Sequence, residues 1–346
     1  MPAPLAYYIS GHGYGHARRS AEVIRAVAVR SPGIVIHVRT SAPEMIFEGI
    51  PGVHYAQVEI DYGAVEKDLL TIDPELTLRK AQSIIENAAA IVESEAAFLK
   101  RAGVGMIAAD VPFLAGDIAE AAGIPCYAVS NFTWDWIYEP FVAKRPQFSP
   151  LLEAIRSSYR KMTGVIRLPF PQYTNVFRRV IDAPLVAWRS TGDSEEVLRK
   201  LNIAPDDPRP KIVLGMRGGM EASILEKAAS EAPDMLFLAP PRDVEFVDML
   251  AVCDVAVTKL GYGIVADCIA AQTALLWPRR TGFREDEITS VEAAKYTRMR
   301  EIPVADFLSG NWASHLRSLL AQPKPTARMD AGGAEFCAEA LLDAMA

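Results

Sequence analysis

Apolar and polar positions over the first 130 residues follow two periods in turn. Short apolar runs at Leu5 to Ile9, Ile34 to Val38, Val53 to Ile60, Val104 to Ala109 and Pro125 to Ser130 read as buried strands. Between them the spacing turns helical. Ala17, Ala21, Ile24 and Ala28 share one face, Pro74 to Arg101 is alanine-rich with no internal glycine or proline, and Phe113 to Ala122 is closed by Gly123. Strands separated by helices imply βαβ units and a parallel sheet. The middle breaks this rhythm. Asn131 to Pro150 carries Phe132, Trp134, Trp136, Tyr138 and Phe141, and Pro169, Pro171 and Pro184 then interrupt regular structure. Gly192 to Pro210 is charged and proline-bearing and holds one short helical piece. The alternation resumes with strands at Lys211 to Leu214, Met235 to Leu238, Ala256 to Thr258 and Ala274 to Trp277, and with helices from about Glu221 and through Ala271. A last helix covers Gly333 to Met345.

This pattern predicts an α/β chain of two Rossmann-like domains, 1–185 and 205–330, joined near 185–205, with a helix in 331–346 packing back toward the first domain. A length of 346 residues suits two such cores. A net charge of −7 lacks the basic footprint of a nucleic-acid binder. The N-terminus has no basic region before its short apolar run, which speaks against a signal peptide, and no stretch approaches the ~18 apolar residues of a membrane-spanning helix. Cys126, Cys253, Cys268 and Cys337 lie far apart in apolar contexts, so they read as reduced, buried thiols of a cytoplasmic protein rather than as metal ligands or a disulfide framework.

The chemistry gathers at Ser10-Gly11-His12-Gly13-Tyr14-Gly15-His16, between the first strand and the first helix. Such a turn lets a ligand approach the backbone, and the helix start offers free N–H groups to an anion. It also sets two histidines at the mouth of the sheet, where open α/β sheets bind ligands. A structural turn with solvated histidines is the competing interpretation.

Tyr8 to Ala17, Asp61-Tyr62-Gly63-Ala64-Val65, Ser130 to Tyr138, Ile166 to Pro169 and Lys259-Leu260-Gly261-Tyr262-Gly263 together resemble the GT-B glycosyltransferases. They are most similar to the glycosyltransferase-like N-terminal region of plant arabinokinases and its stand-alone bacterial relatives, and more distantly to the lipid II-forming N-acetylglucosaminyltransferases. The resemblance implies the GT-B fold: two Rossmann-like domains facing a central cleft, the acceptor on the first and a nucleotide-sugar donor, UDP-linked, on the second. It also implies no metal and no cofactor beyond that co-substrate. No glycine- and serine-rich kinase loop occurs, which argues against sugar phosphorylation.

By the same resemblance His16 is the base that deprotonates the acceptor, work suited to an imidazole. A helix cap or anion contact is its alternative use. Asp110, ending a strand, would orient His16, or else cap the following helix. His12 would touch acceptor or donor phosphate, or serve the turn. Asp61, Asn131, Trp134 and Asp135 offer aromatic and polar walls for an acceptor, although Trp134 and Trp136 also suit a core. Arg18 and Arg19 flank an anion or are solvated. On the donor side, Gly215, Gly218 and Gly219 fit a phosphate-cradling turn with Arg217 as counter-charge, and Lys259, Gly261, Tyr262 and Gly263 a second diphosphate loop. Arg189 resembles an interdomain arginine reaching the diphosphate. Asp267 matches a ribose-binding acidic position, and Glu285 and Asp286 match the region holding the donor sugar. A solvated acidic run at a helix start accounts for the last two equally well. The expected function is inverting, metal-independent glycosyl transfer to a small-molecule or sugar acceptor. A nucleotide-sugar hydrolase or epimerase, or a non-catalytic nucleotide-sugar-binding module, are the alternatives.

Overall fold

The first apolar run is a strand in the computed structural model of the chain: β1 spans Leu5–Ile9, with all five residues buried. The structure describes residues 2–172, 175–190, 192–215, 221–241 and 243–346. Two units emerge, one of Met1–Val186, Gly282–Glu285 and Asp330–Ala346, the other of Ala187–Thr281 and Asp286–Met329.

In the first unit β1 leads into α1 (Gly15–Arg30), which buries Ala17, Ala21, Ile24 and Ala28. Strands β2 (Ile36–Thr40) and β3 (Val53–Gln57) follow, then a small hairpin of β4 (Glu66–Asp68) and β5 (Thr71–Ile72). The single long helix expected over Pro74 to Arg101 is two, α2 (Pro74–Glu86) and α3 (Ala88–Ala102). Asn87 interrupts it: its side-chain amide donates to the Ser83 carbonyl at 2.8 Å, offering the backbone an alternative to the next helical turn. Then come β6 (Met106–Asp110), α4 (Ala115–Ala122) capped by Gly123 in the left-handed region, and β7 (Cys126–Phe132).

The aromatic middle is more regular than its prolines suggest. It forms α5 (Trp134–Ala143), α6 (Ser149–Lys161), β8 (Gly164–Gln172) and β9 (Val180–Asp182). Pro169 and Pro171 fit within β8 because they fall in the irregular stretch between its paired residues Arg167 and Gln172, where no ladder N–H is demanded. The sheet runs β3-β2-β1-β6-β7-β8-β9, all parallel. Strand alternation sends Tyr8 to the face where its hydroxyl meets Glu95 of α3, while Tyr7 is buried on the opposite face.

The second unit holds α7 (Ser194–Lys200), β10 (Lys211–Leu214), α8 (Glu221–Glu231), β11 (Leu236–Leu238), α9 (Phe246–Val252), β12 (Val255–Val257), α10 (Tyr262–Ala271) and β13 (Ala274–Pro278). It continues through α11 (Glu285–Ala293), whose first residue, Glu285, belongs to the first unit, and through β14 (Met299–Ile302), α12 (Val304–Ser309) and α13 (Ala313–Leu320). Its sheet is β11-β10-β12-β13-β14, again parallel. The final helix, α14 (Gly333–Met345), belongs to the first unit and packs on α1. All four cysteines are buried and free of disulfides. Among the described residues no helix is long and apolar enough to cross a membrane.

Candidate active site

In each sheet the strand order reverses once, beside β1 in the first and beside β10 in the second, and open α/β sheets bind ligands at the carboxyl ends of the strands there. The glycine loop follows β1, and Asp110 is the last residue of the neighbouring β6. Helix α1 returns from the loop with His16, Arg19 and Ser20 on one face, three and four residues apart. These positions converge on one carboxylate.

Asp110 is wholly buried and takes four hydrogen bonds. Its Oδ1 receives His16 Nδ1 at 2.8 Å and Arg19 Nη2 at 2.5 Å; its Oδ2 receives Arg19 Nε at 2.6 Å and Ser20 Oγ at 2.9 Å. Burial pushes its pKa up, but the Arg19 guanidinium and the hydrogen bonds from Arg19 and His16 prevail and hold it at about 2. It is therefore an ionised acceptor. In the neutral ring, Nδ1 of His16 carries the proton donated to Asp110, which leaves Nε2 with its lone pair. His16 is 7% exposed and packs edge-on to Phe132, ring centroids 5.4 Å apart.

Asp61 lies close by and behaves differently. Its Oδ2 accepts from Ser10 Oγ and from Trp134 Nε1, the latter at 2.9 Å, and the Gly11 N–H also reaches the carboxylate. Complete burial nevertheless raises its pKa to about 6, because neutral donors offset only part of the lost hydration. Trp134 is 0% exposed and gives its N–H to this cluster, and Asp135 is 0% exposed and bound to Arg156 Nε at 3.0 Å. Asp61, Trp134 and Asp135 are thus buried in the inner packing beside His16.

His12 is half-buried, stacked on Phe283 and edge-on to Trp134. Its Nδ1 accepts the Ala64 N–H at 3.3 Å, so the neutral ring carries its proton on Nε2, the opposite tautomer to His16. Gly63 must lack a side chain here: its φ is +73°, and a Cβ would stand 2.3 Å from that of His12.

Asn131 closes the far side. A register shift between β7 and β8 at Ser130 to Phe132 places its side chain against α1, where its Oδ1 accepts from Arg19 Nη1 at 2.6 Å. Its Nδ2 donates to Glu285 Oε1 at 3.2 Å, and Gln172 Nε2 donates to the Glu285 carbonyl at 3.1 Å. Glu285 is 4% exposed, so neither it nor Asp286 is a solvated charge on a helix start. Asp286 is in the other unit and is bound in its own right by Arg280, through Nη2 at 2.5 Å and the backbone N–H at 3.1 Å. Arg284 reaches Glu139 at 3.0 Å and lies over the Trp136 ring.

In the second unit the Lys259 loop leads into α10, with Gly261 at the N-cap in an extended conformation and Tyr262 buried. A side chain at Gly261 or Gly263 would meet no described protein atom within 4 Å, so the loop's outer surface is open. Gly215 gives its N–H to the Val257 carbonyl at 3.0 Å, and its own carbonyl takes Thr258 Oγ1 at 2.9 Å. Arg217, Gly218 and Gly219 lie outside the described residues. Arg189 is exposed, and Asp267 Oδ1 accepts the Trp188 N–H at 2.8 Å, which anchors the segment entering this unit. Among the described residues no three or more His, Cys, Asp or Glu side chains are grouped to hold a metal ion.

Sequence reasoning missed Arg19, read as flanking an anion or solvated but only 6% exposed, and Ser20, Ser130 and Gln172, all buried. The spacing of His16, Arg19 and Ser20 on one helical face was the available signal.

No protein-family model matches the chain. It is 31% identical over 357 residues to L-arabinokinase of Arabidopsis thaliana, an alignment covering 97% of this chain and 34% of that protein. The chain thus spans about a third of that relative's length. Among solved structures it is similar to the glycotransferase of kitacinnamycin, with a TM-score of 0.64 and 14% identity across 100% of both chains. Phytolacca americana UGT2 complexed with UDP-2fluoro-glucose and pterostilbene superposes with a TM-score of 0.62 and 12% identity, over 99% of this chain and 94% of that one. The spinosyn rhamnosyltransferase SpnG complexed with spinosyn aglycone gives 0.64 and 12%, over 100% and 96%. At these identities the likeness is one of fold.

Proposed function

We propose, from the premise that the chain has the GT-B glycosyltransferase fold and is homologous to about a third of L-arabinokinase, that it is an inverting glycosyltransferase using a UDP-linked sugar. The acceptor is a small molecule or a sugar. The observation that carries the reading is the 2.8 Å contact of His16 Nδ1 with Asp110 at the carboxyl ends of adjacent strands. Nε2 of His16 takes the acceptor's hydroxyl proton, and the oxygen attacks the anomeric carbon. The bond from that carbon to the diphosphate oxygen breaks as the new one forms, which inverts the centre. Asp110 stabilises the imidazolium without itself taking the proton. His12, with its proton on Nε2, is a hydrogen-bond donor to a bound substrate and not a second base.

The second unit supplies the nucleotide site. Lys259 and the N-terminus of α10 meet the diphosphate, a role that helix dipole and ammonium charge can fill without a metal. Glu285 and Asp286 serve the donor sugar through the positions at which Asn131 and Arg280 hold them. Retained UDP-glucose turnover after EDTA treatment is the expected outcome.

The test combines calorimetric titration of UDP, GDP and dTDP with product analysis of H16A and D110N. UDP is expected to bind best. Both variants are expected to keep that affinity while kcat falls by about 10²–10⁴-fold. Free sugar and UDP formed without an acceptor would replace transfer by hydrolysis, and an altered sugar still on UDP would replace it by epimerisation. Nucleotide binding with no turnover, unaffected by H16A, would leave a sensor.

A further inference from the structure

Arg19 has no part in the reaction just described, yet its side chain is tied deeply into the site. Its Nη1 reaches Asn131, its Nε reaches Asp110, and its Nη2 lies 2.5 Å from Asp110 Oδ1, 3.2 Å from Ser130 Oγ and 3.1 Å from His16 Nδ1. Nη2 has two hydrogens. Asp110 and Ser130 use both, so none is left for Nδ1, which stays protonated and donates to Asp110. The guanidinium and the imidazole therefore share one carboxylate and face each other across 3.1 Å.

We propose that Arg19 is a positioning residue that keeps His16 neutral and so competent as a base, by occupying both oxygens of Asp110 and opposing positive charge on the imidazole. This rests on the reading of His16 as the base. A buried carboxylate alone draws a proton onto a neighbouring imidazole, and a resting imidazolium cannot accept the acceptor's proton. With Arg19 in the fork, the charge of Asp110 is already balanced, and a second cation 3.1 Å away is disfavoured. Asp110 keeps its orienting hydrogen bond but not its full pull. The other charged and titratable groups act around this core. Asp61, from the segment after β3, faces His16, and His12 sits on the same loop. Tyr7 of β1 and Cys337 of α14 face Asp110.

The guanidinium is itself held from two sides. Ser130 and Asn131, on β7, receive Nη2 and Nη1. Glu285 fixes which way the Asn131 amide points: its carboxylate takes the NH₂ group, which leaves the amide oxygen for Arg19. A continuous buried chain thus runs from His16 through Asp110, Arg19 and Asn131 to Glu285.

A structural ion pair would show the same contacts, so the test reads protonation directly. The imidazole of His16 is titrated by NMR in ¹³C-histidine-labelled, substrate-free protein, the His16 signal being assigned by its loss in His16→Gln. Arg19→Met is expected to raise the His16 midpoint by about one unit or more, and Arg19→Lys to restore most of the wild-type value. The acid limb of kcat/KM against pH should move upward with it. Should Arg19→Met fail to fold because Asp110 is left uncompensated, the double variant R19M/D110N removes both charges together. Its midpoint is expected within about half a unit of wild type, since the two influences cancel. An unmoved or lowered midpoint in Arg19→Met, or a fall of about a unit or more in the double variant, overturns the proposal. A raised midpoint without transfer to any acceptor keeps the effect of Arg19 and removes the transferase reading; transfer with an unmoved midpoint does the reverse.

Discussion

Asp110 and Asp61 are both wholly buried, and their neighbours offset that burial to very different extents. Asp110 has a guanidinium against both oxygens and is held at about 2, whereas Asp61 has a hydroxyl, an indole and a backbone N–H and rises to about 6. The stability consequences have opposite signs. Asp61 is protonated in the folded protein at pH values where the unfolded chain, with an ordinary value of 3.8, has lost its proton, so its ionisation lowers stability as pH rises from about 4 to 6. For Asp110 the folded value is the lower one, so its contribution is full above about pH 4 and is lost as pH falls toward 2. Asp61→Asn is expected to abolish the first effect: urea unfolding from pH 4 to 7 should show wild type losing ~3 kcal/mol relative to the variant. A pH-independent difference would mean that Asp61 is ionised throughout.

The elements around the site are held by close backbone approach as much as by apolar burial. A Cβ on Gly116 of α4 would lie 1.9 Å from the Ser158 carbonyl oxygen of α6. At the same crossing Ser158 Oγ donates to the Phe113 carbonyl and accepts the Asp117 N–H. Backbone cannot yield as a flexible side chain would, so Gly116→Ala must separate the two helices. A loss of about 1–3 kcal/mol is expected in denaturant unfolding, larger than for alanine at Gly103, where no protein atom lies within 4 Å but φ is +66°. Equal losses would mean that conformation, not contact, selects glycine at both. The periods of the sequence show that these helices exist. They do not show which carbonyl one helix presents to another.

At the scale of the whole molecule, the chain leaves the first unit at Val186, rejoins it briefly over Gly282–Glu285 and comes back to stay at Asp330. The return is secured by Leu185 N–H to the Asp330 carbonyl at 2.8 Å and by the Val186–Gly332 bridge. Helix α14 then buries Ala334, Cys337, Ala338 and Leu341. It packs on α1, the helix that carries His16 and Arg19. Truncation after Met329 is expected to raise hydrogen exchange of the α1 amides and to lower transfer activity, while β10 and β12 of the second unit keep their protection. Unchanged exchange in α1 would show that α14 is dispensable to the site.

Hydrophobic period determined β1 to β3, β6, β7 and β10 to β13 but not β8, β9 or β14, and with the glycines it placed the loop between β1 and α1 and set Asp110 at a strand end, because each depends on residues close along the chain. Asn87 and the two prolines of β8 escaped it, since a side-chain hydrogen bond and a gap in strand pairing override propensity there. Partnership was decided only in three dimensions. Arg19 meets Asp110 across 91 positions and Asn131 across 112, and Asn131 meets Glu285 across 154. Strand order brings such groups together. Once water is excluded, each buried charge must take the partner that the fold sets beside it.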